Sequence, residues 1–163
     1  MKTNFRNIAI VLILIGAFMR LIPHPPNFTP ILALALFAGT KFKDTRYSFI
    51  IPIIAMLISD IFIGFHYGMT LIYLILISAT IIGRHAKGIF SAGLASSMLF
   101  FIVSNFQVWL VSGMYQKNIF GLIECYAMAI PFFGMTLLST VIYTYALFSV
   151  FYLLTKTPKY QRV

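Results

Sequence analysis

Tyr47-Ser-Phe-Ile-Ile-Pro-Ile-Ile-Ala-Met-Leu-Ile-Ser-Asp-Ile-Phe-Ile-Gly-Phe65 contains a single charge, Asp60. As a helix this stretch rises about 28 Å at about 1.5 Å per residue, close to the roughly 30 Å hydrocarbon core of a bilayer. Similar apolar runs lie on both sides of it. The first extends from about Phe5 to Ile22, the fourth from about Met69 to Gly83, and the fifth from about Gly88 to Val111. Two less regular stretches, Pro30 to about Thr40 and Leu122 to Leu154, complete a set of six. The fold expected is all-α: a polytopic transmembrane bundle of about six helices, forming one domain over residues 1–163.

The composition agrees. The chain is 61% hydrophobic and 9% charged, with mean hydropathy +0.96. A soluble domain carries about 25% charged residues, so this chain has too little to cover a water-facing surface. The net charge of +9 comes in small clusters between apolar runs, not in a basic tract able to follow a phosphate backbone. Nucleic acid is therefore not expected as a partner.

Those clusters fall on alternate loops. Lys2 and Arg6, then Lys41, Lys43 and Arg46, then Arg84 and Lys87, then Lys156, Lys159 and Arg162 share one side. Only Arg20 and Lys117 fall on the other. By the positive-inside rule both termini are expected in the cytoplasm, in the inner membrane of a bacterium. Lys2 and Arg6 ahead of Ile8–Met19 also look like the start of a signal peptide. No small-x-small cleavage site follows, so the segment is read as a retained first helix.

Two segments depart from a plain crossing. Pro23-His-Pro-Pro-Asn-Phe-Thr-Pro30 holds four prolines in eight residues and cannot be helix. The eleven residues from Pro30 reach only about 16 Å as helix. Either the second helix is short, or the proline-rich segment dips into the bilayer to complete it, against the plain alternative of an ordinary tight outer loop. The last stretch would be about 50 Å long as one helix. Pro131, with Gly134 beyond, is the expected break: an interfacial piece near Ile119–Ile130, then a span over Phe132–Leu154. The small pairs Ala35/Gly39 and Gly93/Ser97 allow close helix packing.

Charged groups within spans are costly in hydrocarbon and mark candidate sites. Arg20, Asp60 and Glu124 all fall near outer ends, with Arg20 and Asp60 the natural pair. Asn105 and Trp109, four residues apart on the fifth segment, fall near the same level. His24 and Asn27 lie in the proline-rich loop, and His66 follows the third segment. Convergence of these eight residues predicts an outward-facing pocket for a small solute. The competing readings are a structural ion pair, an interfacial aromatic belt and interhelical hydrogen bonding. The chain has no P-loop, nucleophile elbow, dinucleotide fingerprint or zinc-protease motif, and the single Cys125 is read as an apolar filler. Neither a cofactor nor a metal is expected, and no catalytic residue is assigned. An intramembrane enzyme using Asp60 with a histidine is the third reading, after capture and a membrane scaffold or assembly role.

Arg20-Leu-Ile-Pro-His-Pro-Pro-Asn-Phe-Thr-Pro30, Ala33-Leu-Ala-Leu-Phe-Ala-Gly39, Ser59-Asp-Ile-Phe-Ile-Gly-Phe-His66, Ser104-Asn-Phe-Gln-Val-Trp109 and Cys125-Tyr-Ala-Met-Ala-Ile-Pro-Phe-Phe133 resemble an uncharacterised family of small bacterial membrane proteins. That resemblance covers roughly residues 18–145 and implies no activity. The layout is also similar, more loosely, to the substrate-binding S component of energy-coupling-factor vitamin transporters. This second resemblance implies capture of a vitamin-like or aromatic solute, and docking on a separate membrane and ATPase module. The S components' Ala-x-x-x-Ala docking motif is broken here, since Ala9 is followed four residues on by Ile13 and then by Ala17.

Overall fold

A computed structural model describes residues 2–65 and 68–156. Among the described residues every regular element is helical. In chain order these are α1 (Lys2–Phe18), α2 (Ile31–Lys41), α3 (Thr45–Ile63), α4 (Met69–His85), α5 (Ile89–Val111) and α6 (Ile119–Thr155). A 3-10 turn, Met19–Leu21, continues α1. All six expected segments are present within a few residues of their expected bounds. Helices α3, α5 and α6 are long and apolar enough to cross a membrane, and α2 and α4 are shorter apolar helices. The outward side chains are large and greasy: Phe120 is 78% exposed and Phe62 68%. Water would penalise such surface by roughly 25 cal/mol per Å², and hydrocarbon would not, so this is the surface of a membrane protein.

Helix α2 is the centre of the bundle. All eleven of its residues are buried, and it packs against each of the other five helices. Its closest partner is α4. A Cβ added to Gly39 would lie 2.1 Å from the Thr80 carbonyl oxygen, and one added to Gly83 would lie 2.5 Å from that of Leu36. The two backbones are therefore in direct contact. The pair Ala35/Gly39 on α2 meets Ala79/Gly83 on α4, both small-xxx-small. The Thr40 hydroxyl stitches the same crossing, with the Gly83 carbonyl at 3.0 Å and its own Leu36 carbonyl at 2.8 Å. Gly93 is different: a Cβ there would make only ordinary contact with Thr140.

Helix α2 is short, as one alternative has it, and of the proline-rich segment only Phe28, Thr29 and Pro30 are drawn inward beside α6, while residues 21–27 stay exposed. The Phe28 ring packs on Tyr143 with centroids 5.7 Å apart, and the Asn27 carbonyl accepts from the Ser139 hydroxyl at 3.4 Å. Asn27 makes the turn in the left-handed region, at φ +62°. Asparagine tolerates that conformation better than most residues, and glycine tolerates it best.

The expected break in the last segment is corrected. Helix α6 runs unbroken through Pro131 for 37 residues, about 55 Å. Proline removes one backbone hydrogen bond, but breaking the helix in an apolar surround would orphan several more. The Asn118 side chain caps the start of α6 by accepting the Gly121 N–H at 2.9 Å. At the basic end Asp44 caps α3, accepting the Arg46 N–H at 2.8 Å. There Arg84 also ties the Phe42 carbonyl (3.2 Å) to the Ser48 hydroxyl (2.5 Å).

Candidate functional site

Arg20 and Asp60 meet as expected. The 3-10 turn carries Arg20 over the last turn of α3, where its Nη1 lies 2.8 Å from Asp60 Oδ1. The two side chains are 8% and 1% exposed, so this is a buried ion pair, the only ion pair among the described residues. The same Nη1 contacts the Ser59 hydroxyl and, at 3.4 Å, the Met56 carbonyl. The second carboxylate oxygen accepts from the Tyr73 hydroxyl of α4 at 2.8 Å. Three elements are thus joined through one carboxylate, and both its oxygens are engaged. The role of Tyr73 was not legible beforehand: a tyrosine one turn into an apolar run reads as a membrane-interface residue.

A cavity of about 120 Å³ lies under the proline-rich loop. Asn27 and Thr29 of the loop face it, together with the first turn of α2. Ile72 of α4 and Phe100 of α5 form apolar walls, and Thr136 and Thr140 of α6 bring hydroxyls. Those hydroxyls donate to their own helix, Thr136 to the Phe132 carbonyl at 3.0 Å and Thr140 to the Thr136 carbonyl at 2.7 Å. What they leave for an occupant is acceptor capacity. Among the described residues the lining of the cavity carries no charged side chain.

Of the eight residues expected to converge, Asn27 lines this cavity and Arg20 and Asp60 join each other. The others that the structure describes lie elsewhere. Asn105 donates its amide to the Phe101 carbonyl of its own helix at 2.8 Å. Trp109 belongs to the tip of the α5–α6 hairpin, where its Nε1 donates to the Gln116 carbonyl at 2.9 Å. Lys117 covers its ring, the ammonium 5.5 Å from the centroid. That ring is not available for stacking a solute. Glu124 is exposed on α6. His24 is exposed, with Nδ1 3.0 Å from the Pro25 carbonyl, while His66 lies outside the described residues. Cys125 is buried and its thiol approaches the Asn105 carbonyl at 3.4 Å, in keeping with a filler role.

The scatter has one geometric cause. Depths inferred from the end of each segment assume that all segments end at one level. The α5–α6 hairpin instead continues past the cavity. Asn105 is five residues beyond Phe100, about 7 Å, and Glu124 is twelve residues beyond Thr136, about 18 Å. Tyr73 follows Ile72, so the ion pair and the cavity share a level on neighbouring faces of α4. Among the described residues no group of three His, Cys, Asp or Glu side chains is placed to hold a metal ion.

The model of a family of unknown function, DUF6580, matches residues 1–162, and the chain belongs to that family. No curated protein and no solved structure matches it.

Proposed function

We propose that this DUF6580 member is a membrane-embedded capture or transport subunit that holds a small solute in the cavity beneath the proline-rich loop. The observation that carries the reading is the placement of that cavity. It is a mixed polar and apolar hollow in the middle of a bundle, closed on one side by a loop and not by a helix. Its volume is close to the roughly 150 Å³ of an engineered cavity that admits benzene, and below the roughly 300 Å³ at which drug-sized sites begin. A single ring or a small polar fragment fits as the cavity stands. A vitamin-sized solute requires the loop to lift, which breaks the Ser139 hydrogen bond and the Phe28–Tyr143 contact.

Loop placement of the lysines and arginines supports a basic end in the cytoplasm, both termini there, and the proline-rich loop facing outward. Without a P-loop, ATP-driven uptake needs a separate energising membrane and ATPase module. The chain acts as a binding protein and not as an enzyme, since Asp60 is committed to Arg20 and Tyr73 and no catalytic motif accompanies it.

The test is thermal stabilisation of the detergent-purified protein against a panel of small uncharged aromatic and amide-bearing metabolites. One or more are expected to raise the melting temperature saturably. Asn27→Gly keeps the left-handed turn and removes the amide, so it is expected to melt like wild type and respond several-fold more weakly to the same compound. A panel without a hit, or an Asn27→Gly response equal to wild type, defeats the assignment of this cavity.

A second reading, a scaffold or assembly partner, is favoured by the inward engagement of the Arg20–Asp60–Tyr73 network. Each Asp60 oxygen already accepts a hydrogen bond within the bundle. It predicts that variants of the pair lose folding or partner association without any solute dependence.

A further inference from the structure

A groove of about 240 Å³ runs along the basic-end half of α6, lined by Tyr145, Phe148, Ser149 and Tyr152. These residues are spaced i, i+3, i+4 and i+7, so they form one stripe of a single helix. The stripe is open at both ends, where Tyr145 is 46% and Tyr152 50% exposed, while Phe148 between them is buried against Phe37 of α2. Its chemistry is unusual for a lipid-facing stripe, since three of the four residues carry hydroxyls.

One lysine flanks it. Lys156 ends α6 in the left-handed conformation at φ +54°, its N–H returning to the Tyr152 carbonyl at 2.7 Å. That turn brings its ammonium to within 5.8 Å of the Tyr152 ring centroid. Lys41, at the end of α2, meets the Phe148 ring from the bundle interior, its ammonium 5.4 Å from that centroid and 4.7 Å from that of Phe151, and at 1% exposure it does not reach the groove mouth. The chain has only three acidic residues. Asp44 caps α3, Asp60 pairs with Arg20, and Glu124 sits about 30 residues up α6 from its basic end, roughly 45 Å away. Among the described residues the groove therefore has hydroxyl donors, the positive charge of Lys156 at its mouth, no carboxylate in its lining, and an apolar course running toward the middle of the bilayer.

We infer that this groove is a binding site for one anionic phospholipid of the leaflet at the basic end. Its phosphate lies between Lys156 and the Tyr152 and Ser149 hydroxyls, and an acyl chain lies along Phe148 toward Tyr145. Charge complementarity selects the occupant. A zwitterionic lipid gains less from Lys156 because its own ammonium offsets that charge, and a second protein copy would bring a like-charged stripe against this one.

The test is native mass spectrometry of the delipidated full-length protein, titrated with phosphatidylglycerol and, separately, phosphatidylcholine. The first phosphatidylglycerol is expected to be retained about fivefold better than phosphatidylcholine, as one juxtamembrane lysine provides. Lys156→Gln is expected to abolish that preference. Ser149→Trp, which fills the groove, is expected to displace the first lipid of either kind. Lys117→Gln, a cation at the opposite end, is expected to leave both unchanged. Equal retention of the two lipids by wild type overturns the site, and so does an equal loss in Lys117→Gln. So does an unchanged preference in Lys156→Gln when circular dichroism shows that variant folded. None of these outcomes bears on the solute cavity, which lies on the far side of Thr140.

Discussion

Gly39→Ala is expected to destabilise the protein by at least about 3 kcal/mol, and Gly39→Leu to leave no folded protein. The added methyl would sit 2.1 Å from the Thr80 carbonyl oxygen and 3.0 Å from the Arg84 backbone nitrogen. Both neighbours are backbone of a continuous helix, so no side-chain rotation relieves the clash. The helices must move apart, and α2 cannot move freely because all its residues are enclosed by the other five. Separation would also pull the Thr40 hydroxyl from the Gly83 carbonyl. Gly83→Ala meets the Leu36 carbonyl and Cα in the same way and is expected to be nearly as severe. Gly134→Ala supplies the control. Nothing lies within 4 Å of its added carbon, and replacing glycine inside a helix stabilises by about 0.5–1 kcal/mol. Melting temperatures in one detergent, with size-exclusion profiles of fluorescent fusions, would rank the three. An ordinary melting temperature for Gly39→Ala would mean that α2 and α4 do not touch backbone to backbone.

How much of this was legible beforehand follows from what each signal measures. Hydropathy and the positions of lysine and arginine report on solvent, and they located six helices and the short α2. Composition along one segment cannot report which segments extend past the others. Asn105, Trp109 and Glu124 were therefore assigned to a level they do not share with Asp60. Ala35/Gly39 was visible as a spacing, but its partner Ala79/Gly83 gains meaning only when the two helices are seen to cross. Pro131 was read as a break because a straight helix of about 50 Å is too long for one bilayer and proline is the commonest site of a kink. In hydrocarbon the remaining helix is the best partner available. Asn27 was placed only by its position in the proline-rich loop, and it is the one of the eight that lines the cavity.

Asp60→Leu is the second variant with a large expected effect, about 3–5 kcal/mol. It leaves the Arg20 guanidinium 8% exposed without its counter-ion, and leaves the Tyr73 hydroxyl without its acceptor. Arg20→Met alone exposes the opposite defect: a buried carboxylate held only by the Tyr73 hydroxyl. Tyr73→Phe removes one hydrogen bond to a charged acceptor and is expected to cost about 1.5–3 kcal/mol. The informative variant is the pair, Arg20→Met with Asp60→Leu. Replacing both charges by apolar groups removes the desolvation penalty together with the attraction, so the double variant is expected to melt within a few degrees of wild type and well above Asp60→Leu. A double-mutant cycle in detergent reads the coupling directly. Additive losses would show that the two charges do not act as one unit, contrary to their 2.8 Å contact. The same double variant separates the two functional readings. If it is stable and still responds to a solute that Asn27→Gly ignores, the ion pair is a clamp on α1, α3 and α4 and the cavity is the site. If it is stable and the response is gone, the charges reach the solute after the loop lifts, and the site extends across α4 to include them.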